Sequence, residues 1–404
     1  MSFYDILKAA KVGGNLPSYY ETLLARKLPC SKFAWQETTL SGVPPLSFSA
    51  KGTALSAYSV TGNLSQTGTP TPAQPIVPEE CGDVSENMFD KNNFIDGGNF
   101  YPAAGDVLQD SSNTKILLIP CEPNTTYTIS RENAITHRFS ICFVDSKNLY
   151  AGMPVTGQTG SANAKKVTST SAADSAYMII YYGKSGGVDS STAAELSAQL
   201  AELMVNVGSD ALPYVPHWKI PLSCSGTTYP IYLQEPLRKI GDYADSVDSS
   251  GVVTRRIRKL VLDGTETGWT LYEASEATKN YFYLALPAAN LQDASSISTH
   301  FEQKNIYTST TTVGYGFYAQ SGLPYVVRIR PDNVASMTKT DWTTWLSAQY
   351  ANGTPVTVWY VLASPVTETV TCPTITPASG SNTLSCGTTL APSSVSLTGK
   401  IKEV

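Results

Sequence analysis

Where apolar and polar residues alternate with a period of two, the pattern predicts a half-buried strand rather than a helix. At 57–62 Tyr58 and Val60 alternate with Ser59 and Thr61, and the turn dipeptide Gly62-Asn63 ends the run. Short runs of strand-forming residues, separated or followed by turn-rich pieces, place strands at 115–119, 126–130, 138–144 and 176–182. A second set falls at 280–286, 312–318, 324–329 and 356–362. Helical spacing is confined to three places. Phe3, Ile6 and Leu7 share one face and Tyr20, Leu23 and Leu24 another, so two short helices are expected in 2–28, broken by Gly13-Gly14 and Pro17. Leu196, Leu200 and Leu203 share a face in 192–205, where Thr192 and Glu195 have capping-box spacing. Thr338 and Asp341 repeat that spacing ahead of Trp342, Trp345 and Leu346, which predicts a helix over 338–350.

The turns between these elements divide the chain. Pro70, Pro72, Pro75 and Pro78 remove backbone donors and favour polyproline II, so 69–78 is expected to run extended, as a plain linker or as a semi-rigid strap. Asp248-Ser249-Ser250-Gly251 sits between apolar runs and predicts a hairpin. The fragments PLSFSAKGTALSAYSVTGNL at 45–64 and TLSCGTTLAPSSVSLTGKI at 383–401 echo each other, and 222–228 shares their first half. Read as hairpins, the three would form one small β platform built from both chain ends and an internal segment. Chance similarity among strands rich in Ser, Thr and Gly is the competing reading.

Length and composition narrow the classes. At 404 residues the chain has room for roughly two to three domains. Charged residues are 15% of it, against about 25% in an average globular protein. The 23 tyrosines and the many Thr and Ser residues point to a mainly β protein with hydroxyl-rich faces. A net charge of -5 and dispersed cations, apart from Arg255-Arg256-Ile257-Arg258-Lys259, give no nucleic-acid-binding face. The seven cysteines are scattered and contain no C-x-x-C, so buried free thiols are expected. The opening MSFYDILKAAKVGG does not read as a signal peptide, and no stretch reaches the ~18 apolar residues of a membrane span.

Several motifs carry a resemblance. The stretch GNLSQTGTPTPAQPI at 62–76 is similar to a recurrent segment of tail and baseplate structural proteins of phages infecting Gram-positive bacteria. MSFYDILKAAKVGG resembles the opening of the same proteins, and EPLRKIGDYAD at 235–245 resembles a hairpin leading to their second β domain. The order NMFDKNNF, PCEPNTTYTIS, RFSICFVD and ELMVNVGSDALPYVPH is similar to jelly-roll domains of the carbohydrate-binding-module type embedded in phage tail proteins. Val205-Asn206-Val207 stands where that pattern is acidic, so a shared ligand does not follow. DWTTWLSAQYANGTPVTVWYVLASPVTETV at 341–370 is similar to the motif that closes the second domain.

Together these readings give a mainly β chain: two jelly-roll or β-sandwich domains, a small β platform and a short N-terminal helical segment. The expected divisions are an attachment segment at 1–36, a hairpin with the proline-rich strap at 37–86, a first jelly-roll-like domain at 87–217, a β connector at 218–264, a second jelly-roll-like domain at 265–370, and a C-terminal β segment at 371–404. The resemblance implies a non-enzymatic virion protein of a tail tip or baseplate, made in the host cytoplasm. A fibre or receptor-binding adhesin and a pure scaffold both fit it. Its implied partners are other tail proteins, copies of itself with a trimer favoured, and host cell-wall glycan, with neither nucleic acid nor membrane insertion. A bacterial carbohydrate-binding protein and a virion-associated glycan depolymerase are the alternatives.

Reactive groups are sparse. His137, His217 and His300 form no metal-binding pattern, and no nucleophile-elbow, P-loop or dinucleotide motif is present. Gly314-x-Gly316 lies within a β run and is better read as a bulge or close packing. Asp242, Asp245 and Asp248 recur every third residue, which does not match a calcium loop and favours solvated hairpin acids. Trp218, Trp269, Tyr281, Tyr283, Tyr315, Tyr318 and Trp359 would suit sugar stacking, but core packing is favoured for each. No catalytic residue, metal ligand or cofactor is therefore assigned, and the ligand-binding residues are left unknown.

Overall fold

The computed structural model describes residues 37–404, except 92–93, 97–98, 102–106, 110–114, 133–136, 146–155, 163–164, 185–201, 274–276, 278–279, 287–295, 304–313, 321–322 and 332–333. The protein is mainly β and is organised around a central 11-stranded sheet. Its main path runs Thr227–Leu233, Trp218–Cys224, Gly380–Cys386, Leu46–Thr61, Ser246–Asp248, Val252–Leu262, Val356–Thr369 and Ser296–Ser298. Ser394–Glu403 also pairs with Leu46–Thr61 and carries Thr38–Gly42, while Asp83–Val84 pairs with Trp218–Cys224. Every pairing is antiparallel.

Alternation explains the core of this sheet. Phe48, Tyr58, Val60, Ile220, Leu222, Ile231, Leu233, Val247, Val253, Leu384, Val395 and Leu397 are buried together, and their neighbours on the opposite pleat are polar or more exposed. The echoing fragments at 45–64 and 383–401 do meet here, but not as hairpins. Leu46–Thr61 is one 16-residue strand, whose register shifts between Ala50 and Leu55 where Gly52 adopts φ 72°. Gly380–Cys386 and Ser394–Glu403 each pair with it and not with each other. The fragment at 222–228 is a true hairpin: Cys224 faces Thr227 across Ser225 and Gly226, both at positive φ, which suits the right-handed strand twist.

Two β bodies adjoin the sheet. In the first, strands Lys115–Pro120, Thr126–Ser130, His137–Val144 and Tyr177–Lys184 lie within a residue or two of their sequence-derived bounds. A three-stranded and a five-stranded sheet contribute to one core, with Ile129, Val167 and Val205 from one and Leu117, Ile141, Phe143 and Ile180 from the other. The helix expected over 192–205 does not reach its C-terminal end. Met204–Val207 is a strand, with Val205 opposite Ile129 and Met204 opposite Ser130, so cross-strand pairing overrides the leucine spacing. Leu196 and Leu200 lie outside the described residues, as do both helices expected in 2–28.

The second body is a four-stranded sheet, Thr270–Tyr272, Tyr281–Ala285, Leu323–Arg330 and Gly314–Gln320, packed with the α-helix Lys339–Ala351. The helix begins at the expected capping box: Thr338 Oγ1 accepts from Asp341 N at 3.2 Å, and Thr338 N donates to Asp341 Oδ2 at 2.8 Å. Trp342 and Leu346 are fully buried, and Trp342 stacks on Phe282 at 5.1 Å between ring centroids.

Division 218–264 is more than a connector, because it supplies four strands of the central sheet. The strand expected at 356–362 runs on to Thr369, since Val252–Leu262 pairs with 356–361 and again, past a register shift, with 366–369. Its first half packs in the second body's core and its second half extends past it. Each described cysteine, Cys81, Cys121, Cys142, Cys224, Cys372 and Cys386, is free, and Cys30 lies outside the described residues. Burial pushes the Cys81 thiol up to about 12, the inert protonated form. Among the described residues no helix is long and apolar enough to cross a membrane.

Candidate functional site

The two motifs at 62–76 and 235–245 fold against each other. Gly62 N donates to Asp245 O at 2.8 Å and Asn63 N to Leu237 O at 3.2 Å. Cys81 completes the stitch: its N–H donates to Asn63 O at 3.1 Å, and its carbonyl accepts from Leu237 N at 3.2 Å. Asn63 Nδ2 donates to Ala391 O at 3.0 Å, so the C-terminal segment joins the same knot. Gly62 permits this approach, because a Cβ there would lie 2.4 Å from the carbonyl carbon of Leu237.

The proline-rich stretch is not an extended strap. Leu64–Ser65 pairs with Glu79–Glu80, so the chain leaves the sheet and returns to where it left. Thr71 and Gln74 exchange backbone bonds at 3.0 and 3.1 Å across a tight turn with Pro72 at its second position. Tertiary bonds favour this closed loop over a polyproline run. Gln66 Nε2 donates to Ile76 O at 2.7 Å and to Ser298 O at 3.0 Å, and Ile76 N donates to Thr299 O at 2.8 Å. The loop is pinned to the edge of the sheet at 296–299.

Beneath the knot lies a buried charge network. Asp245 is fully buried: Oδ1 accepts from Arg256 N at 2.6 Å and Ile257 N at 2.9 Å, and Oδ2 from Arg238 N at 3.1 Å. Arg255 Nη1 approaches Asp245 Oδ2 at 3.6 Å. The Arg238 guanidinium pairs through Nε with Glu80 and through Nη1 with Glu235 Oε2 at 2.8 Å. Arg255 Nη2 and Nε reach Glu368 Oε1 at 2.7 and 3.0 Å, and the same guanidinium donates to the carbonyls of Pro236 and Glu235. Trp359 Nε1 donates to Glu80 Oε1 at 3.0 Å, with Lys259 Nζ 5.5 Å from the indole centre. Asp245 is therefore not the solvated hairpin acid expected from its spacing: its backbone lies between two strands, and its carboxylate is turned inward. Asp242 is exposed, and Asp248 caps the 248–251 turn by accepting from Ser250 N at 2.9 Å.

These environments set the titrations. Burial pushes the Asp245 carboxyl up, against Arg255 and the N–H groups of Arg256 and Ile257. For Glu80 burial acts upward too, but Arg238 and Lys259 outweigh it and hold the group below the ordinary glutamate range; Arg238 does the same for Glu235. A lowered folded-state value means stability that is present above the unfolded value, about 4.3, and lost as pH falls through the folded one. Asp245 has the opposite sign and does not drive acid unfolding. The thermal midpoint is expected to drop as pH falls below about 4.3. In Glu80→Gln that drop should be shallower, and an equally steep one would remove Glu80 from the acid response.

The network forms the floor of an open cleft of about 580 Å³. Four cations, Arg238, Arg255, Arg258 and Lys259, and four acids, Glu80, Asp90, Glu235 and Glu368, line it. Trp218, Pro236, Val261 and Val366 provide its apolar surface. Trp218 is half-buried, packs on the central core and meets His217 edge-on at 5.4 Å. His217 Nδ1 in turn bonds Asn87 O at 2.7 Å.

The other residues weighed from sequence are dispersed. His300 is buried, and its burial lowers the imidazole to about 4. His137 opens a strand of the first body. Trp269, Tyr281 and Trp359 are buried in cores, and Tyr283 is half-buried. Gly314 and Gly316 stand opposite Arg330 and Arg328 in the second body, and the register shift in that pair lies further along, at Tyr318 to Gln320. Among the described residues no group of three His, Cys, Asp or Glu is arranged to hold a metal. Sequence reading missed Glu80, Arg255 and Glu368. The signal lay in the run at 255–259, where alternation buries Arg255 and Ile257 and exposes Arg256 and Arg258.

No family model and no curated protein matches the chain. Among solved structures it is similar to oxalate decarboxylase from Bacillus subtilis, at 10% identity over 80% of this chain and 77% of that one. The TM-score is 0.13, and so slight a likeness supports neither a fold nor an activity.

Proposed function

We propose that the chain is a non-enzymatic structural protein of a phage tail tip or baseplate, acting as a fibre or receptor-binding adhesin that contacts host surface glycan. One observation carries the reading. The segments that resemble phage tail proteins, 62–76 and 235–245, form one interlock, which also takes in Cys81 and Ala391 and closes distant segments on a central sheet. Gly62, Asn63, Gln66, Glu235, Arg238 and Asp245 all act there in closing backbone and burying charge. Such residues suit a scaffold that displays domains, and the two adjoining bodies are read as jelly rolls of the carbohydrate-binding kind. Segment 1–36 would face the tail, and self-association, with a trimer favoured, would match the rotational symmetry of a baseplate.

The test is the mass of the purified chain in solution, together with its binding to Gram-positive cell walls. A trimer that binds walls and leaves their glycans intact is expected. A monomer without wall binding would overturn the adhesin reading, and release of sugars would overturn the non-enzymatic one.

A further inference from the structure

We infer that the cleft over the charge network is a binding site for an uncharged, hydroxyl-rich oligosaccharide, with Trp218 as its stacking platform. This rests on the glycan-contacting reading above and adds where the glycan sits. Its volume, about 580 Å³, falls in the ~300–1,000 Å³ range of small-molecule sites.

Three features select the ligand. The lining charges balance, four acids against four bases, so the cleft has no net pull on an anion or a cation. The polar groups are planar or multidentate and are already held by one another: Glu368 by Arg255, and Glu235 by Arg238. A sugar hydroxyl both donates and accepts, so neighbouring hydroxyls can bridge such a carboxylate and a cation without breaking the pair. Glu235, Lys259 and Glu368 keep about 40% of their side-chain surface exposed. They thus remain open to a ligand while their positions are fixed. Trp218, half-buried, is the one aromatic residue lining the cleft among the described residues, and its packing on the core and the edge contact of His217 fix it before binding.

Calorimetric titration of the full chain would use two probes from a Gram-positive wall: a purified uncharged polysaccharide and the phosphate-bearing teichoic-acid fraction. Binding of the uncharged polymer, little affected by salt, is expected. Trp218→Ala should weaken it about ten-fold and Arg258→Ala about three-fold, with Trp218→Phe near the parent. Tyr272→Ala, outside the cleft, should change nothing. Trp218→Phe and Arg258→Ala keep the test valid if Trp218→Ala fails to fold. Binding that persists unchanged in Trp218→Ala and Arg258→Ala would overturn the cleft and leave the adhesin reading standing. Preferential, salt-sensitive binding of the teichoic acid would overturn the uncharged ligand. No binding of either fraction by the parent chain would overturn the cleft and the adhesin reading together.

Discussion

Replacing Asp245 by Ala is expected to destabilise the central sheet by about 3–5 kcal/mol, the range for breaking a buried ion pair from one side. The carboxylate accepts from three backbone N–H groups, of Arg238, Arg256 and Ile257, and no solvent reaches it to replace them. Each unsatisfied buried donor costs about 1–3 kcal/mol. Arg255 would keep Glu368 and two carbonyls, so its charge stays compensated, and this holds the effect within the range rather than above it. Asp245→Asn retains an acceptor oxygen and should cost less. Denaturant midpoints, with amide exchange at Arg256 and Ile257, read the effect. Unchanged midpoints and undiminished protection of those two amides would show that the carboxylate is dispensable.

Gly62→Ala should cost about 3 kcal/mol through a different route. The new methyl would meet the Leu237 carbonyl carbon at 2.4 Å and Arg238 N at 2.5 Å, both backbone atoms that cannot rotate away. The motif at 235–245 would have to withdraw, which stretches the bonds from Gly62 N to Asp245, Asn63 N to Leu237, and Leu237 N to Cys81. Three backbone bonds at about 1 kcal/mol each set the scale, with overpacking strain added. The two β bodies have separate cores, so their own unfolding should be affected less than that of the central sheet. A midpoint equal to the parent's would mean that the motifs yield without cost.

Much of this architecture was legible as pattern. Strands at 115–119, 126–130 and 324–329 follow from short runs of strand-forming residues, and the helix at 339–351 from a capping box that needs only residues three apart. The same method failed at 204–205, where leucine spacing pointed to a helix and pairing with Thr126–Ser130 made a strand. It also failed at 69–78. Four prolines favour an extended chain, but the bonds from Gln66 to Ser298 and from Ile76 to Thr299 close it into a loop, and both partners lie more than 200 residues away.

The candidate site was legible only in fragments. The motif 235–245 was visible, yet its Asp245 read as a solvated acid, because hairpin acids near a turn are ordinarily exposed. Glu80, Arg255 and Glu368 stand far apart in the chain, and nothing local marks them as partners. Sequence by itself determined the short strand-forming runs, the end of a strand at Gly62-Asn63, the turn at 248–251 and the capped helix. Only the tertiary structure decided that Leu46–Thr61 runs as one strand between Gly380–Cys386 and Ser394–Glu403, and that the acids and bases of four segments share one buried network. The reason is range. Alternation and capping act over a few residues, whereas burial of charge and pairing of strands depend on which distant segments meet.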